Sequence, residues 1–385
     1  MKKILAFIMV ALLIFCMASC GKKDADNADA TKDTTPTINN PTIEIESGTL
    51  EVGKNADGEY EIVGYTHKNE ALVDLKLPDK LDEVDIVGIA SRAFTADSTI
   101  KTVTIPATYE YVGKQAFFQC SALTSVTMAD SITDIREAAF KECDKLSTVV
   151  WSKSLSLLGE SAFEGCKKLT SADLSGGITV IGNGAFLGCD SLTDVTLSDK
   201  LISVNKGAFM NCGSLKLTEF DNGLYLGNKT NPHLAFISVT DLNVKECTVN
   251  DNTKIIATNA LANCNGLNSV TLGKSVTCVS ADCFTNSPYI DYVMYDDTVN
   301  YLKLGTAEDA ALAMISVKKT AVETLTVHEN TAIITDTALA ECSELSDISY
   351  AKTSADWNKI TKSATWNHDL AITIHCANNE KITTN

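Results

Sequence analysis

Apolar positions recur along this chain at every twenty-third residue. The dipeptide Ala-Phe appears six times at that spacing, and its phenylalanines are Phe94, Phe117, Phe140, Phe163, Phe186 and Phe209. Five cysteines keep the same step, three residues after a phenylalanine, at Cys120, Cys143, Cys166, Cys189 and Cys212. The frame resumes at Cys264, Phe284 and Cys342. A strict period of this length indicates a repeat architecture.

Each repeat contains two kinds of local pattern. Residues 123–128 end in alternating apolar and polar positions, which predicts a short, half-buried strand. Residues 136–143 place Phe140 and Cys143 three apart, on one side of a short helical turn. A strand this short has no core of its own, and its apolar face becomes dry only when the next repeat stacks on it. We therefore predict a β-rich, elongated or curved solenoid of short strands and short helical turns, stacked at this period.

The second half of the chain contains a longer module that occurs twice. Apolar positions from Leu226 to Val270 reappear seventy-eight positions later, from Leu304 to Ile348. We assign residues 49–350 to one solenoid that includes both modules. Residues 351–385 depart from the repeat and are predicted to form a C-terminal cap and tail.

The N-terminal residues have the pattern of a secretion signal. Lys2 and Lys3 precede an apolar run over residues 4–17, which is too short to span a membrane. The following residues Met17-Ala18-Ser19-Cys20-Gly21 resemble the bacterial lipobox, which implies a signal peptide over 1–19 and lipidation at Cys20. The alternative is an ordinary signal peptide with an incidental cysteine. Residues 20–48 are polar and aperiodic, so we expect a lipid-anchored, disordered linker.

The repeat resembles a known family, the BspA-like or treponemal-type leucine-rich repeats of bacterial surface proteins. Residues 60–65 are similar to the opening strand of such proteins, residues 225–232 to their longer spacer unit, and residues 348–376 to their C-terminal end. The resemblance implies a leucine-rich-repeat solenoid without a catalytic signature. The sequence departs from the pattern at Asp97, where the first cysteine is expected, at Leu261 and Leu339, which replace Phe, and at Ala310 in the second spacer.

Charge and composition argue against several functional classes. The formal charge of −17 would repel a phosphate backbone, so we expect no nucleic-acid partner. The five histidines are scattered, with no nucleophile elbow and no paired carboxylates, so we expect no enzyme and no catalytic residue. The glycines at 182, 184 and 188 miss the spacing of a dinucleotide loop, and we predict no cofactor.

The 13 cysteines need a separate explanation. Those in strict register lie on the same inner side as Phe and Leu, and small buried thiols suit such a corner. We therefore expect structural free thiols, with disulfides or a metal site as the alternatives. Cys278 and Cys283 have no histidine nearby, which disfavours zinc, and we predict no metal site. Whether Cys247, Cys278, Cys283 and Cys376 form disulfides is left open.

The outward positions of the strands are the candidate binding residues. They form a polar ladder made of Thr102, Thr104, Ser125, Thr127, Thr148, Ser171, Asp173, Asp194 and Thr196. These side chains are either solvent-tolerant strand formers or a flat hydrogen-bonding surface for a protein or glycan. Trp151 would lend local character to that surface. We expect Tyr109 and Tyr111 to be exposed, as anchors or as packing residues.

The sequence thus predicts a secreted protein, lipid-anchored at the bacterial cell surface or the outer face of a membrane. Its solenoid would bind an extracellular protein or glycan, as an adhesin would. The alternative is a structural or scaffolding component of the envelope. A substrate-binding lipoprotein that feeds a transporter is disfavoured, because a regular solenoid has no enclosed cleft. No oligomeric state is predicted.

Overall fold

The described chain is a β-solenoid of about 13 turns with a period near 23 residues, which confirms the predicted fold. The computed structural model describes residues 40–280, 282–295, 297–318, 321–335, 337–362 and 366–384. The predicted signal peptide, Cys20 and most of the predicted linker lie outside these ranges.

The strands are short, and most of them pair with a strand one turn away. The bounds of β1 to β6 are Thr42–Ile45, Gly48–Lys54, Tyr60–His67, Val73–Lys76, Lys80–Leu81 and Val84–Ile89. The bounds of β7 to β16 are Ile100–Ile105, Tyr111–Val112, Ser125–Met128, Asp134–Ile135, Thr148–Val150, Leu157–Leu158, Ser171–Leu174, Val180–Ile181, Asp194–Leu197 and Ser203–Val204. The bounds of β17 to β23 are Thr218–Phe220, Gly223–Leu226, Ala235–Val239, Glu246–Thr248, Ile255–Ile256, Ser269–Thr271 and Cys278–Val279. The bounds of β24 to β30 are Val299–Lys303, Leu312–Val317, Thr324–Val327, Thr331–Ile334, Asp347–Tyr350, Thr373–His375 and Lys381–Thr383.

Each regular turn contributes one strand to each of two parallel ladders. One ladder has the strand order β3-β6-β8-β10-β12-β14-β16. The other consists of β4-β7-β9-β11 and then β13-β15. In both ladders the residues that pair across most turns are one sequence period apart, such as Asp134 with Leu157 and Thr102 with Ser125. The sequence period is therefore the register of the sheets.

The two longer modules insert an antiparallel strand pair into this pattern. In the first module β18 pairs antiparallel with β19, and β19 pairs parallel with β21. In the second, β24, β25 and β27 repeat the same arrangement. The chain ends with β29 parallel to β28 and β30 antiparallel to β29. Within the described residues only two short helical segments occur, α1 at Ser354–Trp357 and a 3₁₀ turn at Ala377–Asn379.

The phenylalanines of the repeat form a continuous stack in the interior. Neighbouring rings from Phe94 to Phe209 have centroids 4.9, 5.2, 5.1, 5.7 and 5.5 Å apart, with planes within 18° of parallel. Phe117, Phe140, Phe163 and Phe186 are completely buried. The inward position of these rings confirms the prediction on which the solenoid depends.

The segments that contain these rings are not helical, which corrects the expectation of short helical turns. Gln115, Ala138 and Glu142 have φ values of 56°, 53° and 59°, which an α-helix does not contain. The backbone N–H of Phe117 instead donates to the carbonyl of Ala139 in the next turn, at 2.7 Å. Hydrogen bonds between turns alternate with tight-turn bonds inside the segment, such as that from the N–H of Cys120 to the carbonyl of Phe117 at 3.2 Å. The spacing of Phe and Cys alone does not distinguish this arrangement from a helical turn.

The cysteines in register bond to the turn that precedes them. The Cys143 thiol donates to the carbonyl of Phe117 at 3.0 Å, and the Cys166 thiol donates to that of Phe140 at 3.2 Å. Cys120, Cys189 and Cys212 repeat this contact at 3.1 Å. None of the eleven cysteines from Cys120 to Cys376 forms a disulfide with another of them. This agrees with the prediction of structural thiols and resolves Cys247, Cys278, Cys283 and Cys376, whose pairing the sequence left open.

Asp97 replaces cysteine in the first repeat, where no earlier phenylalanine carbonyl is available. Its Oδ1 accepts the backbone N–H groups of Thr99 and Ile100 at 2.7 and 2.8 Å. Its Oδ2 lies 3.0 Å from Nε2 of His67 on β3. The carboxylate therefore connects the first repeat to the N-terminal strands.

The ordered part of the chain begins before residue 49, so the linker predicted over 20–48 extends too far. Thr42–Ile45 form β1, which pairs antiparallel with β2 over Thr42 to Ile45 against Glu51 to Gly48. Ile43 and Ile45 pack against the core. Two isolated apolar side chains in a polar stretch were too weak a signal to indicate this strand.

We predict that removing one central ring destabilises the rod more than removing the terminal one. Phe140→Ala should lower the free energy of unfolding by about 3–5 kcal/mol, because it leaves a cavity between two rings. Phe209→Ala is the matched control, since Phe209 stacks on a single ring among the described residues and should lose less. Urea unfolding followed by circular dichroism measures both, and equal losses would contradict a cooperative stack.

The buried thiols predict a loss of stability at alkaline pH. Burial raises the pKa of the Cys212 thiol to about 11 and that of the Cys247 thiol to about 12. An unfolded thiol ionises near pH ~8.5, so above that pH the unfolded chain binds fewer protons than the folded one. Stability should therefore be intact below about pH 8 and fall progressively toward pH ~12.

A double variant provides the control for this pH dependence. Cys212→Ala with Cys247→Ala removes two of the ionising groups, so its urea midpoint should decrease less between neutral and alkaline pH than that of the parent chain. Identical pH profiles for the parent and the variant would exclude these thiols as a cause.

Candidate functional site

The predicted polar ladder lies on the strands of the second parallel ladder, β7, β9, β11, β13 and β15. We call this surface the polar strip and define it by Thr102, Thr104, Ser125, Thr127, Thr148, Ser171, Asp173, Asp194 and Thr196. Its side chains form two rows that run along the rod, and each strand contributes at most one side chain to each row. In the first row Thr102 is in register with Ser125, and Ser125 with Thr148. The second contains Thr104 with Thr127 and Asp173 with Thr196. All nine side chains are exposed or half-buried.

The strip extends beyond the residues that the sequence identified. On β4, Asp74 and Lys76 continue the two rows, and the Thr102 hydroxyl donates to Asp74 Oδ1 at 2.8 Å. In later turns the rows resume at Glu246 and Thr248, Ser269 and Thr271, Thr324 and Thr326, Asp347 and Ser349, and Thr373 and His375. Two of these strands could have been predicted from the sequence. Strip residues occupy the fifth and seventh positions after the cysteine of a repeat, and both Cys264 and Cys342 are followed by polar residues at those positions.

The strip is split between β11 and β13. Just before β13 and β15, the backbone N–H of Thr193 donates to the carbonyl of Thr170 at 2.9 Å. At the equivalent position between the β11 and β13 turns, the contact is made by the Thr170 hydroxyl, which lies 3.5 Å from the carbonyl oxygen of Ser147. At this step the second row contains Val150, which is 51% exposed, in place of a polar residue.

Trp151 accounts for the split in physical terms. It takes the inward position that Met128 and Leu174 occupy in the neighbouring turns, and its ring lies 5.0 Å from that of Phe163. An indole needs more room there than either of those side chains does. The expectation that Trp151 lends character to the outer surface is therefore wrong, since the ring packs against the core.

Among the nine residues that define the strip, the charged ones are Asp173 on β13 and Asp194 on β15. A hydrogen bond from the Thr193 hydroxyl and the nearby Lys216 ammonium lower the pKa of the Asp194 carboxyl. Lys216 Nζ lies 3.5 Å from Asp194 Oδ1. Asp173 Oδ1 accepts the backbone N–H of Ser175 at 3.1 Å. Both carboxylates are exposed, so both are available as hydrogen-bond acceptors for a ligand.

Ion pairs between turns cover other parts of the surface. Lys114 with Glu137 and Lys167 with Asp144 are each one repeat period apart in the sequence, and their charged atoms lie 2.8 and 3.2 Å apart. Exposed pairs of this kind contribute little stability. They match some of the acidic residues off the strip with lysines of a neighbouring turn.

Tyr109 and Tyr111 are buried, which corrects the expectation that they are exposed. The Tyr109 hydroxyl donates to the carbonyl of Pro78 at 2.9 Å, and burial raises its pKa. The Tyr111 hydroxyl donates to Glu61 Oε2 at 2.7 Å, while the Arg136 guanidinium covers its ring at 3.8 Å. Both residues pack and are not available as anchors.

An open cleft of about 450 Å³ lies beside β22, where the next strand of the strip is missing. Its lining includes Asn268, Ser269, Thr271, Asp291 and Lys303. The regular repeat gave no indication of it, because it forms where the second long module begins.

Neither a metal-binding cluster nor a membrane-spanning helix occurs in the described ranges. No group of three or more His, Cys, Asp or Glu side chains there is arranged to bind a metal ion. The same residues contain no helix with the length and apolar character needed to cross a bilayer.

Comparison with known sequences identifies the repeat. A family profile described as the BspA type leucine rich repeat region matches six copies, over residues 87–216 and 235–322. No curated protein matches the chain.

Several solved bacterial structures are similar to the chain. A Treponema pallidum leucine-rich repeat protein is 23% identical, with a TM-score of 0.43, over 57% of this chain and 87% of that one. A leucine rich cell surface protein from Faecalibacterium prausnitzii is 19% identical, with a TM-score of 0.40, over 83% and 97%. A Bacteroides ovatus leucine-rich repeat protein is 23% identical, with a TM-score of 0.44, over 80% and 70%.

Proposed function

The chain belongs to the BspA-type leucine-rich repeat family, and from that premise we propose that it is a lipid-anchored surface protein that binds an extracellular macromolecule along the polar strip. Proteins of this family are bacterial cell-surface proteins. Their repeats serve as binding or scaffold modules, and no enzymatic family matches the chain.

The observation that supports binding most strongly is the regular geometry of the strip. Parallel strands space the successive members of each row about 4.8 Å apart along the rod. Each turn presents two short side chains on that surface, and they are hydroxyls or carboxylates in most turns. In a fixed array, hydroxyl groups can donate or accept a hydrogen bond with an extended ligand, and carboxylates can accept one. Many weak contacts along one rigid surface then add up to useful affinity.

The carboxylates give this surface its preference among ligands. Asp173 and Asp194 are solvent-accessible acceptors, and the chain as a whole has a formal charge of −17. Such a surface favours partners with basic groups or with hydroxyl donors, and it disfavours polyanions. An extracellular protein with exposed lysines and arginines, or a neutral glycan, fits this chemistry.

Attachment through Cys20 is the second part of the proposal. The apolar run over residues 4–17, followed by Ala18-Ser19-Cys20, supports lipidation of the cysteine after cleavage. The polar residues that follow would then separate the rod from the membrane, so that the strip is accessible to partners outside the cell.

Charge reversal on the strip tests the binding surface. We expect the full chain with Asp173→Lys and Asp194→Lys to bind its partners at least about tenfold more weakly on arrays of extracellular matrix proteins and glycans. Asp144→Lys with Asp190→Lys is the matched control, because it makes the same change in charge outside the strip.

The control decides how the result is interpreted. Equal loss in both double variants would attribute binding to overall charge. Unchanged binding in the strip variant would remove the strip from the account and favour a rod that only spaces other envelope components.

Metabolic labelling tests the anchor. Cells that express the native chain should incorporate radioactive palmitate into it, and Cys20→Ala should abolish incorporation because the thiol that receives the lipid is absent. Cys16→Ala is the control, since Cys16 lies inside the segment expected to be removed. Equal labelling of the native and Cys20→Ala chains would refute lipidation at this position.

A further inference from the structure

The cleft beside β22 arises because one turn supplies no strand to the strip. By the register of the repeat, the partner of Ser269 would be residue 292. Val293 instead donates its backbone N–H to the carbonyl of Tyr301 at 2.9 Å, which directs this segment away from β22. Along β22 the backbone groups of Ser269 and Thr271 face β20, so the N–H and C=O of Val270 face the cleft. Neither of these two groups forms a backbone hydrogen bond with the described residues across the cleft.

The cleft is closed at both ends. Asp291 donates its N–H to the carbonyl of Asn268 at 2.8 Å, and Leu272 donates its N–H to the carbonyl of Lys303 at 3.1 Å. Only three residues of β22 separate these bonds, which corresponds to about 10 Å. A cleft of this length is too short to accommodate an added strand from another chain. Its volume of about 450 Å³ suits a compact ligand.

The lining combines polar groups with an apolar floor. The side chains of Asn268, Ser269 and Asp291 are exposed and form no hydrogen bond with other described residues. They offer two amide donors, a hydroxyl and a carboxylate to a ligand. Val270 and Leu302 are buried and apolar and form the floor.

This combination matches the surface of a sugar ring. A pyranose presents hydroxyl groups around its edge and C–H groups on its faces, so it can hydrogen-bond to the polar lining while it covers the floor. Lys303 also lines the cleft, but its Nζ donates to the carbonyl of Glu308 at 3.3 Å, whereas the exposed Asp291 carboxylate has no such partner among the described residues and disfavours an anion.

An exposed aromatic residue lies two positions before the lining residue Asp291. Tyr289 is 67% exposed, the largest exposed fraction among the large apolar side chains described. Its Cα is at most about 7 Å from that of Asp291. A ring within reach of the cleft would supply an apolar face together with a hydroxyl for hydrogen bonding.

We propose that the cleft formed by Asn268, Ser269, Val270, Asp291 and Leu302 binds one saccharide unit of an extracellular glycan. This inference rests on the proposed function, and it narrows the ligand class to a glycan whose terminal or branching sugar enters the cleft while the rest extends along the strip.

The test uses free sugars and the full chain carrying Cys20→Ala. Saturation-transfer difference NMR with D-glucose, D-galactose, D-mannose and N-acetyl-D-glucosamine should give signal for at least one sugar. Asp291→Ala should weaken that sugar's binding by about tenfold or more, because it removes a charged hydrogen-bond acceptor. Ser269→Trp, which fills the cleft, should have the same effect. Asp190→Ala is the control, with the same loss of charge outside both the cleft and the strip, and should change affinity less than about twofold.

The outcomes separate this inference from the proposed function. No signal from any of the four sugars, or unchanged binding in Asp291→Ala with a native circular dichroism spectrum, overturns the saccharide site. The strip can still pass its own test with matrix proteins in that case. Sugar binding that Asp291→Ala abolishes supports the cleft even where the strip variants bind their partners normally.

Discussion

No turn of this protein has an interior of its own, and the structure depends on that constraint. A turn contributes one ring, one thiol and a few aliphatic side chains, which become dry only between two neighbouring turns. Phe140 contacts the rings of both adjacent turns, and the Cys143 thiol bonds to the preceding one. Because the interior groups repeat once in every turn, the exterior groups do so too. The polar strip is therefore a consequence of the stacked core.

Much of the fold could be predicted because the interior repeats so strictly. The register of Phe140 and Cys143 gave the solenoid, the inward rings and the free thiols. Three features could not be predicted from it. The Phe-containing segments bond to the next turn as well as internally, β1 depends on two isolated isoleucines, and Tyr109 and Tyr111 are buried by contacts with N-terminal residues outside the repeat. In each case the deciding contact lies outside a single repeat unit.

The candidate site shows the same division. Alternation within each strand was enough to identify which residues face outward on β7 to β15. It did not indicate the split at Trp151, because that depends on the volume of an inward side chain relative to its neighbours. Nor did it indicate the cleft beside β22, which requires a strand to be absent. Regular positions define an extended surface, and irregular positions give that surface local chemistry.

Native-state hydrogen exchange of the backbone amides tests the central claim most directly. If each turn becomes dry only through its neighbours, protection should be greatest for the amides of Phe117, Phe140 and Phe163, which donate to the next turn. It should then decrease steadily toward β1 and β30, as expected for a one-dimensional stack. Uniform protection along the chain, or a separate maximum in each turn, would contradict the account.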